Sequence, residues 1–398
     1  MEHAVWIYPW DLLDEGIPRV LDRLQSSNIG GINVAVNYHT GRFFLPHNPK
    51  RKLYYPEPGA LYFEPDPAWY QKSKIKPPVS KLTSRDFLKQ LREETARRGM
   101  KLTAWSLGLH NSFIGFNYPD TAAVNVFGDL DYTSLCPANE DVRKLFLDMY
   151  TDLSQNYEFD SILIESMEFM PFRHGYHHEV IGVPISDAED FFLSLSFSPH
   201  LCQKAQAAGI DIDAIKKFVR RQLEDGFANP FAAKTKMSWS EIESAAGGQM
   251  KSFLELREEL VGALIKDISQ CITSYSLAKV AVLDFGPLYP LGPRNVSWQS
   301  GANLEVIAGC AAELHPTFYF NNLQVFRQKV DEYVGVLSKL PRSIDMIPAV
   351  RAVLPQVGSL DDLKSQVDYL KPHCKGMTFY NYGFMAYETL DWISESVS

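Results

Sequence analysis

Short apolar runs alternate with amphipathic helical segments along the whole 398-residue chain, and the runs are apolar at successive positions rather than at every second one. Strands that bury both faces belong to parallel sheets whose crossover helices cover them on either side. Eight such runs stand out: Ala4 to Tyr8, Gly31 to Val36, Lys101 to Leu107, Ser161 to Glu165, Lys279 to Asp284, Leu304 to Ala308, Ile344 to Val350 and Gly376 to Tyr382. The helices between them carry capping signals. "TSRDFLKQLREETARRG" opens on Thr and Ser, keeps Phe87, Leu88 and Leu91 on one face and stops at Gly99, and "SLDDLKSQVDYLKP" repeats that logic from Ser359. Eight β/α units in one chain predict an α/β fold, a (β/α)8 barrel forming a single domain over 1–398. A doubly wound sheet is the weaker alternative, because no G-x-G-x-x-G or P-loop follows the first run.

The spacing also predicts two insertions. Between the second and third strands lies a Pro- and Tyr-rich stretch from 41 to 80, longer than an ordinary βα loop and expected to fold over the barrel mouth. Residues 166–248, between the fourth and fifth strands, read as a helical insertion or a homodimer contact.

Charge excludes several partners. The net charge is −9 and Lys and Arg form no basic run, so nucleic acid is not expected. No stretch has the length of a membrane span, and the opening "MEHAVWIYPWDLLDEG" has no basic region leading into a long apolar one, so the expectation is a soluble, cytoplasmic protein. Five well-separated cysteines without a C-x-x-C predict reduced structural thiols, neither a disulfide framework nor a zinc site.

In a (β/α)8 barrel the ligand site lies at the C-terminal ends of the strands. The polar residues predicted there are Asp11, His39, Trp105, His110, Asn111, Glu165, Asp284, Arg351, Asn381 and Tyr382, followed after the fourth strand by Arg173 and His174. Acids, imidazoles, amides and aromatics in a ring suit a sugar, whose C–H face stacks on aromatic rings while its hydroxyls take hydrogen bonds. Glycoside hydrolysis needs two carboxyl groups, and Glu165 and Asp284 are the expected pair, on the tips of adjacent strands. Asp11 and Asp14 stand where a helix cap is equally natural. His174 and His177 in "RHGYHHE" are spaced by three but have no second ligand cluster, so neither a metal nor a cofactor is expected, and Arg173 and His174 are read as sugar-binding. Arg351 either clamps an acidic sugar or neutralises a neighbouring carboxylate.

The segments "YPWDLLDEG", "NYHTGRFFLPHNPKRKLYYPEPG", "AWSLGLHNS", "NVFGD" with "LCPAN", and "IESMEFMPFRHGYHHE" resemble those of a group of glycoside-hydrolase-like (β/α)8 proteins. More distantly, the layout is similar to that of the inverting (β/α)8 exo-sialidases. That resemblance implies catalytic roles for Asp11, or Asp14, and for His110. The function predicted is cleavage of a glycosidic bond in a small or terminal carbohydrate. The alternatives are a carbohydrate-binding barrel without catalysis, or a barrel lyase or metal-dependent hydrolase.

Overall fold

The computed structural model describes residues 2–174, 179–232, 234, 237–291 and 294–398. Its main sheet runs β1 (Glu2–Ile7), β2 (Gly31–Ala35), β3 (Lys101–Leu107), β4 (Ser161–Glu165), β5 (Lys279–Asp284), β6 (Glu313–Pro316), β7 in two segments (Asp345–Met346 and Ala349–Arg351) and β8 (Gly376–Tyr380). Each strand pairs in parallel with the next, and β8 returns to β1 with Gly376 opposite Glu2, so the sheet curls into a barrel. Pro348 divides β7, since it has no N–H to give to the ladder.

The sixth strand is a correction. Leu304–Cys310 is a helix, because Asn303 accepts hydrogen bonds from the Glu305 and Val306 N–H groups and caps it. The strand follows it as "ELHP", with a single aliphatic residue. Its inward positions carry Glu313 and His315. Glu313 bonds Lys279 of β5 at 2.7 Å, and although burial raises its pKa, His315 and Lys279 together bring it down to about 2.

Alternation sorts the strand residues into two layers. Trp6, Tyr8, Ala35, Trp105, Leu107, Leu163, Ala281, Leu283 and Ala349 pack together inside the barrel. Val5, Val34, Ala104, Ile162, Ile164, Val280, Val282 and Phe379 face outward into the larger core beneath the helices. The stretch after β2 forms a short hairpin, Phe43–Phe44 with Leu53–Tyr54, and Phe43 stacks on Tyr8 at 5.4 Å between ring centroids. Arg51 of the hairpin loop, 2.7 Å from Asp14, ties it to the helix Pro9–Glu15. Between β4 and β5 run the helices Asp187–Ser194, Pro199–Ala207, Ile212–Ala228 and Trp239–Ser244, then the long helix Gln249–Tyr275. Among the described residues no helix is long and apolar enough to cross a membrane.

Candidate active site

Leu163 points into the barrel, so Glu165, two residues on and at the tip of β4, emerges on the same face at the mouth. The Trp105 indole N–H donates to its Oε2. The Glu165 charge bears on Tyr38, Tyr150, Tyr319 and Tyr380, which surround it. Withdrawal from water raises the Glu165 pKa to about 8, and the indole bond offsets this only in part. Trp6 meets Trp105 edge-on at 4.8 Å, and the Tyr8 and Tyr380 hydroxyls are 3.1 Å apart, which fixes the wall of the site. Arg351, at the tip of β7, holds its guanidinium 5.9 Å from the Tyr380 ring centroid and 6.0 Å from that of Tyr319, and its Nε is buried without a hydrogen-bond partner.

A second carboxyl stands close by that the sequence reading missed. Glu168 is 3% exposed and its Oε1 has no partner. Burial, then the charges of Asp284 and Glu165, raise its pKa to about 8. Ser166 turns the chain directly after the strand, at φ 56°, a left-handed conformation that a non-glycine residue adopts at a cost of about 1 kcal/mol. Phe169 then anchors the loop, through its N–H to the Ser300 carbonyl at 2.9 Å and through the Arg257 guanidinium 4.3 Å from its ring centroid. The one signal for Glu168 was its place three residues past Glu165.

Asp284 is not the inward partner expected for Glu165. Ala281 and Leu283 take the inward positions of β5, so Asp284 faces the helix layer. There its Oδ2 accepts from the Tyr333 hydroxyl at 2.6 Å and from Ser297 Oγ at 2.8 Å, while Oδ1 accepts from the Gly286 N–H. Burial raises its pKa against these bonds.

Several other expected ligands are held by their neighbours. Asp11 lies in the first turn of the helix Pro9–Glu15, where Oδ2 accepts from the Tyr8 N–H at 3.1 Å while Oδ1 is buried beside Gly383 without a hydrogen-bond partner, and burial raises the Asp11 pKa. Asn111 caps the helix Ser112–Asn117 through the Ile114 N–H, and Asn381 accepts from the Gly383 N–H. The Tyr382 hydroxyl donates to Glu15 at 2.9 Å, away from the mouth. Arg173 is turned to Asp187, 2.9 Å away. Three histidines do come together: the His110 ring is 4.0 Å from that of His39 and 4.5 Å from that of His174, and its Nδ1 contacts the Thr133 carbonyl. His177 lies outside the described residues, and among those described no three His, Cys, Asp or Glu side chains are grouped to hold a metal.

No protein-family model matches the sequence, and no curated protein does. The fold has relatives. The glycoside hydrolase domain of PgaB (BpsB) from Bordetella bronchiseptica aligns over 96% of this chain and 95% of its own, with TM-score 0.59 and 15% identity. α-L-Fucosidase isoenzyme 2 from Paenibacillus thiaminolyticus aligns over 100% of this chain at TM-score 0.57 and 10% identity, and a β-galactosidase from Rahnella sp. R3 does so at 0.56 and 11%. This chain spans only 49% and 56% of those two longer chains. All three are glycoside hydrolases built on a barrel of this kind, and at such identities the likeness is one of fold.

The mouth thus offers a carboxyl at a strand tip, a second carboxyl three residues on, both raised to about 8, and a wall of aromatic rings. The Glu165 charge adds to burial and to the larger effect of Asp284 in raising the Glu168 pKa.

Proposed function

We propose that the protein is a glycoside hydrolase that cleaves the bond of a small or terminal carbohydrate seated at the barrel mouth, with Glu165 as the general acid. The observation that carries this reading is the Glu165 carboxyl itself, inward at a strand tip, among aromatic rings, and raised to about 8. A leaving-group oxygen needs a donor that is still protonated at working pH and strong enough to yield. Glu168 is the second carboxyl, as base or nucleophile. An exo-sialidase-like division of labour would give the chemistry to Asp11 and His110, but Asp11 is fully buried in the first turn of a helix with Oδ2 on the Tyr8 N–H, whereas Glu165 stands among aromatic rings at a strand tip, so we assign the proton to Glu165.

Glu165→Gln keeps the shape and loses the proton. With unactivated glycosides, kcat should fall by at least ~10² while KM changes little, and with good leaving groups the loss should be smaller. With both carboxyls near 8, kcat/KM of the native protein should follow a bell-shaped pH profile with its maximum near pH 8. A folded Glu165→Gln protein with native rates on unactivated glycosides would sink the assignment.

A further inference from the structure

Beside the mouth, a cleft of about 690 Å³ opens between the Phe43–Phe44 hairpin segment and the loop after β7. It shares the Tyr380 wall with the Glu165 site, but Glu165 does not line it. Phe43, Phe44 and Trp392 supply aromatic faces, and among the described lining residues the charged side chains are two arginines, Arg42 and Arg351, with no Asp, Glu or Lys. Several other arginines are spent on carboxylates, as Arg51 is on Asp14 and Arg294 on Glu258. Arg351, in contrast, keeps a buried Nε with no partner. The cleft is thus cationic in a chain whose net charge is −9.

We propose that this cleft is a subsite for an anionic sugar unit next to the one cleaved at Glu165, so that the substrate is an oligosaccharide carrying a carboxylate or sulfate group. The inference rests on the glycoside-hydrolase reading of the mouth and adds its substrate class. A guanidinium presents a planar fork of N–H donors that matches carboxylate and sulfate oxygens, and the aromatic walls exclude water and stack on the sugar ring. A neutral sugar in the same place would give the Arg351 and Arg42 guanidinium groups no anionic partner and so forgo the charge-assisted bonds.

The test uses oligosaccharides of two to four units that carry one glucuronate, one sulfate ester, or neither. Binding is measured by calorimetry on the Glu165→Gln protein, so that no probe is consumed, and cleavage is measured on the native protein. The anionic probes should bind at least ~10-fold more tightly than the neutral one at low salt, with the advantage shrinking as salt rises. Arg351→Gln and Arg42→Gln should each lower that ratio, and Arg351→Lys should keep part of it. Arg42 is exposed, so its substitution tests the cleft without disturbing the core, and thermal melts check both variants. The better of the two anionic probes identifies the group recognised. Equal binding of neutral and anionic probes, or a ratio that survives both Gln substitutions, would overturn the proposal. Preference for the anionic probes without cleavage of any of them would support the subsite and defeat the hydrolase reading; equal binding and cleavage of all three would do the reverse.

Discussion

At the scale of single residues, the two raised carboxyls tie chemistry to stability. Glu165 and Glu168 ordinarily titrate near 4.5 and in the fold near 8, so between those values the folded protein binds more protons than the unfolded one. Stability from this source is full below 4.5, falls as pH rises through the window, and levels off above 8. Each pH unit costs at most about 1.4 kcal/mol per carboxyl, less for the half-buried Glu165. Thermal melts should therefore show a lower midpoint at pH 8.5 than at pH 5.5, and Glu165→Gln with Glu168→Gln should flatten that slope. An unchanged slope in the double variant would place the titration elsewhere.

At the scale of elements, Asp284 shows where legibility stopped. The positions of β3, β4 and β5 follow from their apolar runs, and Glu165 follows from the end of one of them. Which face Asp284 takes does not, because "VAVLD" is apolar on both sides and has no polar alternation to set its parity. The run at Leu304 was misread for a related reason: a short apolar segment is strand or helix according to its cap, and the true β6 is polar inside the barrel. Where Glu168 points is not legible, because a left-handed turn at Ser166, not a repeat in the sequence, decides it. Facing outward, Asp284 braces β5 against the helix Leu323–Leu337 through the Tyr333 hydroxyl. Asp284→Asn would disturb the buried Tyr333 and Ser297 hydroxyls and should lower unfolding free energy by at least ~1 kcal/mol. Denaturant titration reads that loss, and kcat should stay within about tenfold of native. A collapse in kcat with stability intact would return Asp284 to the chemistry.

At the scale of the whole molecule, the mouth exists only if the ring closes, and it closes between β1 and β8, the two strands most distant in sequence. Closed pairing removes the exposed strand edges that an open sheet would present. The closure has one tight point. At Gly376 a Cβ would lie 2.0 Å from the Glu2 carbonyl oxygen, so no larger residue fits without moving a backbone strand. Nothing in "CKGMTFY" marks that glycine as different from a loop glycine, since the neighbour that crowds it is more than 370 residues away in the chain. Gly376→Val should push β8 from β1 and cost at least ~2 kcal/mol, the scale of overpacking in a filled site. Tyr380 and Asn381 follow from the same strand, so the variant should also lose glycoside binding at the mouth in step with folding. Circular dichroism melts and binding isotherms, taken on one preparation, separate the outcomes: a native melting midpoint in Gly376→Val would mean that the β1–β8 seam yields more readily than its geometry allows.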